Sequence, residues 1–187
     1  MPGFFLSFCA VLLLAAGGRE QHLVAALSQR MAKPVPLLAM ALIASLLTAC
    51  AATASGALLS DWLSPGGAQM FLAATLALAG VELLIERAAD SPTEPTRSLA
   101  AILMVLVWRQ AGDAARFVIV GLAASQGNPW TVGAGATGAS LVGAAFAWSM
   151  SGDFAKALPW RKLRAGLGIV LLILAALLAM SARGALG

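Results

Sequence analysis

Residues 98 to 123 read SLAAILMVLVWRQAGDAARFVIVGLA, an apolar run long enough to cross a bilayer as one helix. Its middle is polar: Arg109, Gln110, Gly112, Asp113 and Arg116 stand together there. A charge at mid-membrane costs on the order of 2.5–3.5 kcal/mol on insertion scales, so such residues face protein or water and mark function. Three charges within this short span make it the first candidate site.

The whole chain agrees with that reading. Of its 187 residues 60% are hydrophobic and 11% charged, with a mean hydropathy of +0.90. A soluble domain would carry about a quarter charged residues. The composition predicts an all-α integral membrane protein, with length for about six spans of roughly 20 residues and no separate soluble domain. The pI near 9.8 reflects twelve Lys and Arg scattered among spans and loops, so it speaks for topology and not for nucleic acid. Cys9 and Cys50 lie in apolar segments without metal or redox spacing and are expected to be buried small hydrophobes. The N-terminal MPGFFLSFCAVLLLAAGG has no basic n-region and runs on into LVAAL after a polar break, so it is kept as a first span and not a cleaved signal.

Six apolar segments are predicted as helices, at about 3–29, 35–59, 67–87, 98–123, 129–150 and 164–182. Helices are the expected form, because lipid-exposed backbone must satisfy its own hydrogen bonds. A polar stretch with Pro92 and Pro95 divides the chain into a first three-helix repeat (1–87), a cytoplasmic linker (88–97) and a second three-helix repeat (98–187). Gly18 maps onto Gly112 at an offset of 94 residues, and the polar break of the first segment maps onto that of the fourth. Gly135, Ala139 and Gly143 form a small-residue stripe whose partners at this offset are Ala41, Ser45 and Ala49, which lets helix backbones approach closely. Three spans per repeat is an odd number, so the halves are expected to be inverted.

Basic residues set the orientation. Arg30, Lys33, Arg87, Arg97, Lys156, Arg161, Lys162 and Arg164 follow spans one, three and five, against Arg183 alone on the other face. The positive-inside rule then places both termini outside and the linker in the cytoplasm of a bacterial-type inner membrane.

The second break reads Gln110-Ala111-Gly112-Asp113-Ala114-Ala115-Arg116, and the first Ala16-Gly17-Gly18-Arg19-Glu20-Gln21-His22. With its span count, central linker and a proline after each motif helix, the chain resembles the transmembrane protein 165 / GDT-one family of six-span exchangers. That family carries an E-x-G-D-[KR]-[TS] motif in the first helix of each half. The resemblance implies alternating access between inverted halves, with Mn2+ or Ca2+ exchanged for H+ and no cofactor. It implies an ion pathway over Gly18, Arg19, Glu20, Gln21, Gln110, Gly112, Asp113 and Arg116, with Asp113 as the metal position. The second motif keeps glycine and aspartate; the first keeps only the glycine.

Chemistry sets this against a counter-reading. Hard divalent cations want several oxygen ligands, preferably carboxylates. The four acidic motif positions read Ala16, Arg19, Gln110 and Asp113, and Glu20 lies about 100° further round its helix. Arg19, Arg109 and Arg116 outweigh Glu20 and Asp113. Two alternatives follow: a transport-silent relative acting as a membrane partner subunit, or a transporter of an anionic or zwitterionic solute. Besides lipid, a homo-oligomer stays open as a partner. No nucleophile–base pair or phosphate loop suggests an enzyme.

Arg19 stands where the family pattern has aspartate, and two-fold symmetry would bring it to Asp113. A guanidinium there could fork onto the carboxylate as a tethered surrogate cation. Alternatively Arg109, four residues before, and Arg116, three after, satisfy Asp113 within its own helix. His22 would suit proton coupling or a structural role. Glu82 and Glu86 read as an ion vestibule or a solvated helix end, and Lys156 to Arg164 with Trp160 as a juxtamembrane loop in contact with lipid.

Overall fold

The computed structural model describes residues 2–31, 35–85, 98–153 and 158–183, all of them helical or in connecting turns. The described residues form eight α-helices: α1 Pro2–Ala15, α2 Arg19–Arg30, α3 Val35–Ser60, α4 Pro65–Ile85, α5 Leu99–Ala111, α6 Ala114–Ser125, α7 Pro129–Met150 and α8 Trp160–Ala182. α3, α4 and α8 are each long and apolar enough to cross a membrane. α1 and α2 are long and apolar enough only when taken together, as a broken span or a re-entrant loop bent by 62° at the break. α5 and α6 are shorter apolar helices separated at Gly112-Asp113. The set is consistent with an all-α membrane protein. The 88–97 linker, Glu86, Arg87, Lys33 and Lys156 lie outside the described residues.

Local chemistry accounts for the helix starts. Ser98 caps α5, its hydroxyl accepting the Ala101 N–H. Asn128 caps α7 in the same way through Thr131, with Pro129 in the first turn, where its missing N–H is no loss. α8 starts four residues before the predicted 164, and those four residues prove decisive for the site.

Small residues make the interior. Ala41, Ala44, Ala49, Ala79, Ala136 and Ala139 are fully buried, and the predicted stripe on α7 is the face that meets α1 and α2. Close approach takes the place of a hydrophobic drive that lipid cannot supply. Large apolar side chains point the other way: Leu58, Ile85, Met104 and Trp108 are mostly exposed. Cys9 and Cys50 are also exposed, contrary to the expectation of burial. In a lipid-facing helix an apolar residue needs no protein cover, so apolarity does not report burial.

The contacts run in a reciprocal pattern. Ser7 on α1 donates to the Val132 carbonyl at 2.9 Å, and Ser28 on α2 to that of Trp148 at 2.9 Å, so α1–α2 runs parallel to α7. Gln110 at the end of α5 meets Ser45 and Thr48, and α6 passes Gly56 at Val120 and Ala123, so α5–α6 runs parallel to α3. α3 and α7 cross antiparallel, with Thr53 on Gly133 and Thr48 beside Ser140 through Arg116. α4 pairs with α8, antiparallel, through a mutual close approach of Gly80 and Gly168.

Candidate functional site

Both helix breaks lie against the middle of α3 and α7. At the first break Gly17 takes φ +72°, which an L side chain adopts only with strain, and Gly18 caps α2 with extended backbone. The Gln21 side chain reaches back to accept the Gly17 N–H at 3.1 Å, a variant of the reciprocal cap in which the third helical residue closes the first turn. At the second break Asp113 is itself the cap: its Oδ2 accepts the Ala115 N–H at 3.3 Å. Each break therefore points a helix N-terminus inward beside an acid, Glu20 in one half and Asp113 in the other. The helix dipole favours negative charge there.

The two acids stand within electrostatic range of one another and of Glu82. Glu20 is 6% exposed and Asp113 4%. One oxygen of Glu20, Oε2, is buried with no hydrogen-bond partner. Glu20, Gln21, Ser45, Gln110, Arg116 and Ser140 line a small cavity of about 10 Å³, room for one water molecule.

Arg116 organises the second-half side. Its Nε and Nη2 donate to Thr48 Oγ1 at 3.1 and 2.8 Å, Nη2 also to Gln110 Oε1 at 2.9 Å, and Nη1 to Ser140 Oγ at 3.3 Å. Gln110 donates in turn to Ser45 Oγ at 3.2 Å. The guanidinium thus ties α6 to α3, α7 and the end of α5 across the break. Gln110 works in both directions, its carbonyl accepting from Arg116 and its amide donating to Ser45, which a carboxylate could not do.

Arg164 is the member of this cluster that reading the sequence missed. The 156–164 stretch reads as a juxtamembrane loop, yet Trp160 and Arg164 are 8% and 5% exposed. Spaced by one helical turn, they insert the start of α8 into the first break, Trp160 over Gly17 and Arg164 onto the carbonyls of Leu14 and Ala16 at 3.2 and 3.5 Å. Arg164 also reaches Glu82 Oε2 at 3.5 Å and Asp113 Oδ1 at 3.9 Å. The four-residue spacing of a tryptophan and an arginine was the available signal; the surrounding basic residues masked it.

The expected Arg19–Asp113 pair is replaced. Arg19, its side chain 46% exposed, bonds Glu82 Oε1 at 3.2 Å, while the arginines beside Asp113 are Arg164, 3.9 Å from its Oδ1, and Arg116. The self-contained alternative holds in part: Arg116 lies within electrostatic range of Asp113 while its hydrogen bonds go to Thr48, Gln110 and Ser140, and Arg109 is half-buried and takes no part in the ion pairs among the described residues. Glu82 is no solvated helix end but the acid shared by two arginines. His22 is half-buried, its ring edge-on to Trp160 at 6.4 Å between centroids.

Gly18 is buried at the bend, whereas Gly112 is exposed and a Cβ there would meet nothing. In place of an arginine excess, the cluster balances Glu20, Glu82 and Asp113 against Arg19, Arg116 and Arg164. Among the described residues no group of three or more His, Cys, Asp and Glu is arranged to hold a metal ion. A second, open cleft of about 770 Å³ lies between the α3–α4 and α6–α7 turns, with Asp61, Gln126 and Trp130 on its wall. No protein-family model, curated protein or solved structure matches this chain.

Proposed function

We propose that this chain is a small multi-pass transporter of a cation, in the manner of the Mn2+ or Ca2+ to proton exchangers, working by alternating access between two inverted three-helix halves. One observation carries the reading: two helix breaks from opposite halves bring Glu20 and Asp113 into one buried cluster at mid-length of α3 and α7. Broken helices with acids at the break are how membrane proteins expose backbone and charge at a midplane site.

Inversion is supported by the exchange of partners: α1–α2 follows α7 as α5–α6 follows α3, while the α3–α7 and α4–α8 pairs are antiparallel. Six spans are obtained by counting α1–α2 and α5–α6 as one each. The turns after spans two and four then lie on one side, where they share the open cleft, and that side is extracytoplasmic by the basic-residue count. The cleft is the outer vestibule, and the buried cluster the closed gate below it.

A second reading has its own observation. Each acid of the cluster already lies near a guanidinium, which favours a transport-silent relative that serves as a membrane partner. Proteoliposomes separate the two. Movement of Mn2+ or Ca2+ with opposed proton movement, abolished by Asp113→Asn, is the expected result. Folded, reconstituted protein that moves neither metal nor proton overturns the transport reading.

A further inference from the structure

Among the described residues the Arg164 guanidinium meets four oxygens. Nη1 donates to the carbonyls of Leu14 and Ala16, the last carbonyls around the end of α1, and Nη2 faces Glu82 Oε2 and Asp113 Oδ1. These oxygens come from α1, α4 and the cap of α6, and the cation comes from α8. Carbonyls at a helix C-terminus carry partial negative charge, and with two carboxylates they form the donor set a bare cation requires. Glu20, with its unpartnered buried oxygen, lies within range of the same guanidinium and adds to the negative field. At 5% exposure the arginine is out of water, where a charge persists only if such partners replace its hydration.

We infer that this cage is a binding site for a monovalent guanidinium-type cation, and that the protein fills it with its own Arg164. The side chain is a tethered occupant that ties both helix breaks to α4 and α8. It opposes any incoming cation by already holding the oxygens that cation would use. The inference rests on the transport reading only in taking this cluster as the cargo site. Its readout is binding to folded protein, so an absent flux and an absent binding event are separate results.

The test uses the full chain in detergent, with Arg164→Ala opening the cage. Thermal unfolding is followed with guanidinium chloride at low millimolar concentration, and with urea and tetramethylammonium chloride as controls. Tetramethylammonium has the charge but no N–H donors. Saturable stabilisation by guanidinium is expected, a rise of roughly 3–6 °C at tenfold over its dissociation constant. The same rise should be absent with either control, in wild type, and in Arg164→Ala combined with Glu82→Gln. A folded Arg164→Ala protein without a saturable rise overturns the inference, as does an equal rise in wild type, in the double variant or with tetramethylammonium. If Arg164→Ala does not fold, Arg164→Lys and Arg164→Gln decide. A cation cage makes the lysine variant melt above the glutamine variant; the reverse order, or equality, shows that hydrogen bonding and not charge holds the residue there.

Discussion

The indole of Trp160 lies against the backbone of Gly17: a Cβ on that glycine would come within 2.6 Å of the ring. Together with φ +72°, this makes the position glycine for two separate reasons. The left-handed conformation costs an L residue on the order of 1–2 kcal/mol before any contact is counted. Gly17→Ala should therefore lower stability by more than that figure, and Trp160→Ala in the same chain should return the steric part. Gly112, at the second break, has ordinary φ and open space. There an alanine should be neutral or stabilising by about 0.4–1 kcal/mol. Equal losses at the two glycines, measured by thermal unfolding in detergent, would contradict this contrast.

Thr48 should matter more than a lone threonine in an apolar helix. Its hydroxyl accepts from two nitrogens of a buried guanidinium. Thr48→Val removes that acceptor at constant volume, and leaving part of a buried charge unsatisfied costs on the order of 1–3 kcal/mol. Thr48→Ser keeps the hydroxyl and should hold most of the stability. A valine variant as stable as the serine one would argue that water fills the gap.

The two arginines of Glu82 should behave differently. Arg19 is 46% exposed at its side chain, and an exposed pair of this kind contributes about 0–1 kcal/mol after solvent screening. Arg164 is 6% exposed, and removing one partner of a buried ionic cluster costs about 3–5 kcal/mol. Chemical denaturation of Arg19→Ala and Arg164→Ala should show the second loss as several times the first. The opposite order would place the working pair at the surface.

Orientation can be read by cysteine labelling. Cys9 and Cys50 are exposed and must first be changed to alanine to give a clean background. In intact cells an impermeant thiol reagent should modify Gly127→Cys, in the α6–α7 turn where a side chain meets open space, and spare Ser91→Cys in the linker. Labelling at Ser91 with protection at 127 would invert the proposed topology.

Reading the sequence carried far along the helices. The predicted fifth segment coincides with α7, the second with α3 to within a residue, and both polar breaks fall where α1–α2 and α5–α6 separate. These features are local: apolar runs, glycines and caps act within a few residues, so neighbours in sequence suffice to place them. The small-residue stripe on α7 was legible for the same reason, because spacing alone puts Gly135, Ala139 and Gly143 on one face.

Charge pairing was not legible. The sequence by itself determined that Asp113 must be compensated, since a buried carboxylate needs a partner, and the nearest arginines along the chain were the natural candidates. Only the tertiary structure decided that Arg164, delivered by the start of α8, joins Arg116 beside Asp113, while Arg19 pairs with Glu82. The physical reason is that partner choice depends on depth and direction across four helices. Arg19 at the first turn of α2 meets Glu82 from α4, and Asp113 meets Arg164 from α8, contacts across helices that no spacing along the chain encodes.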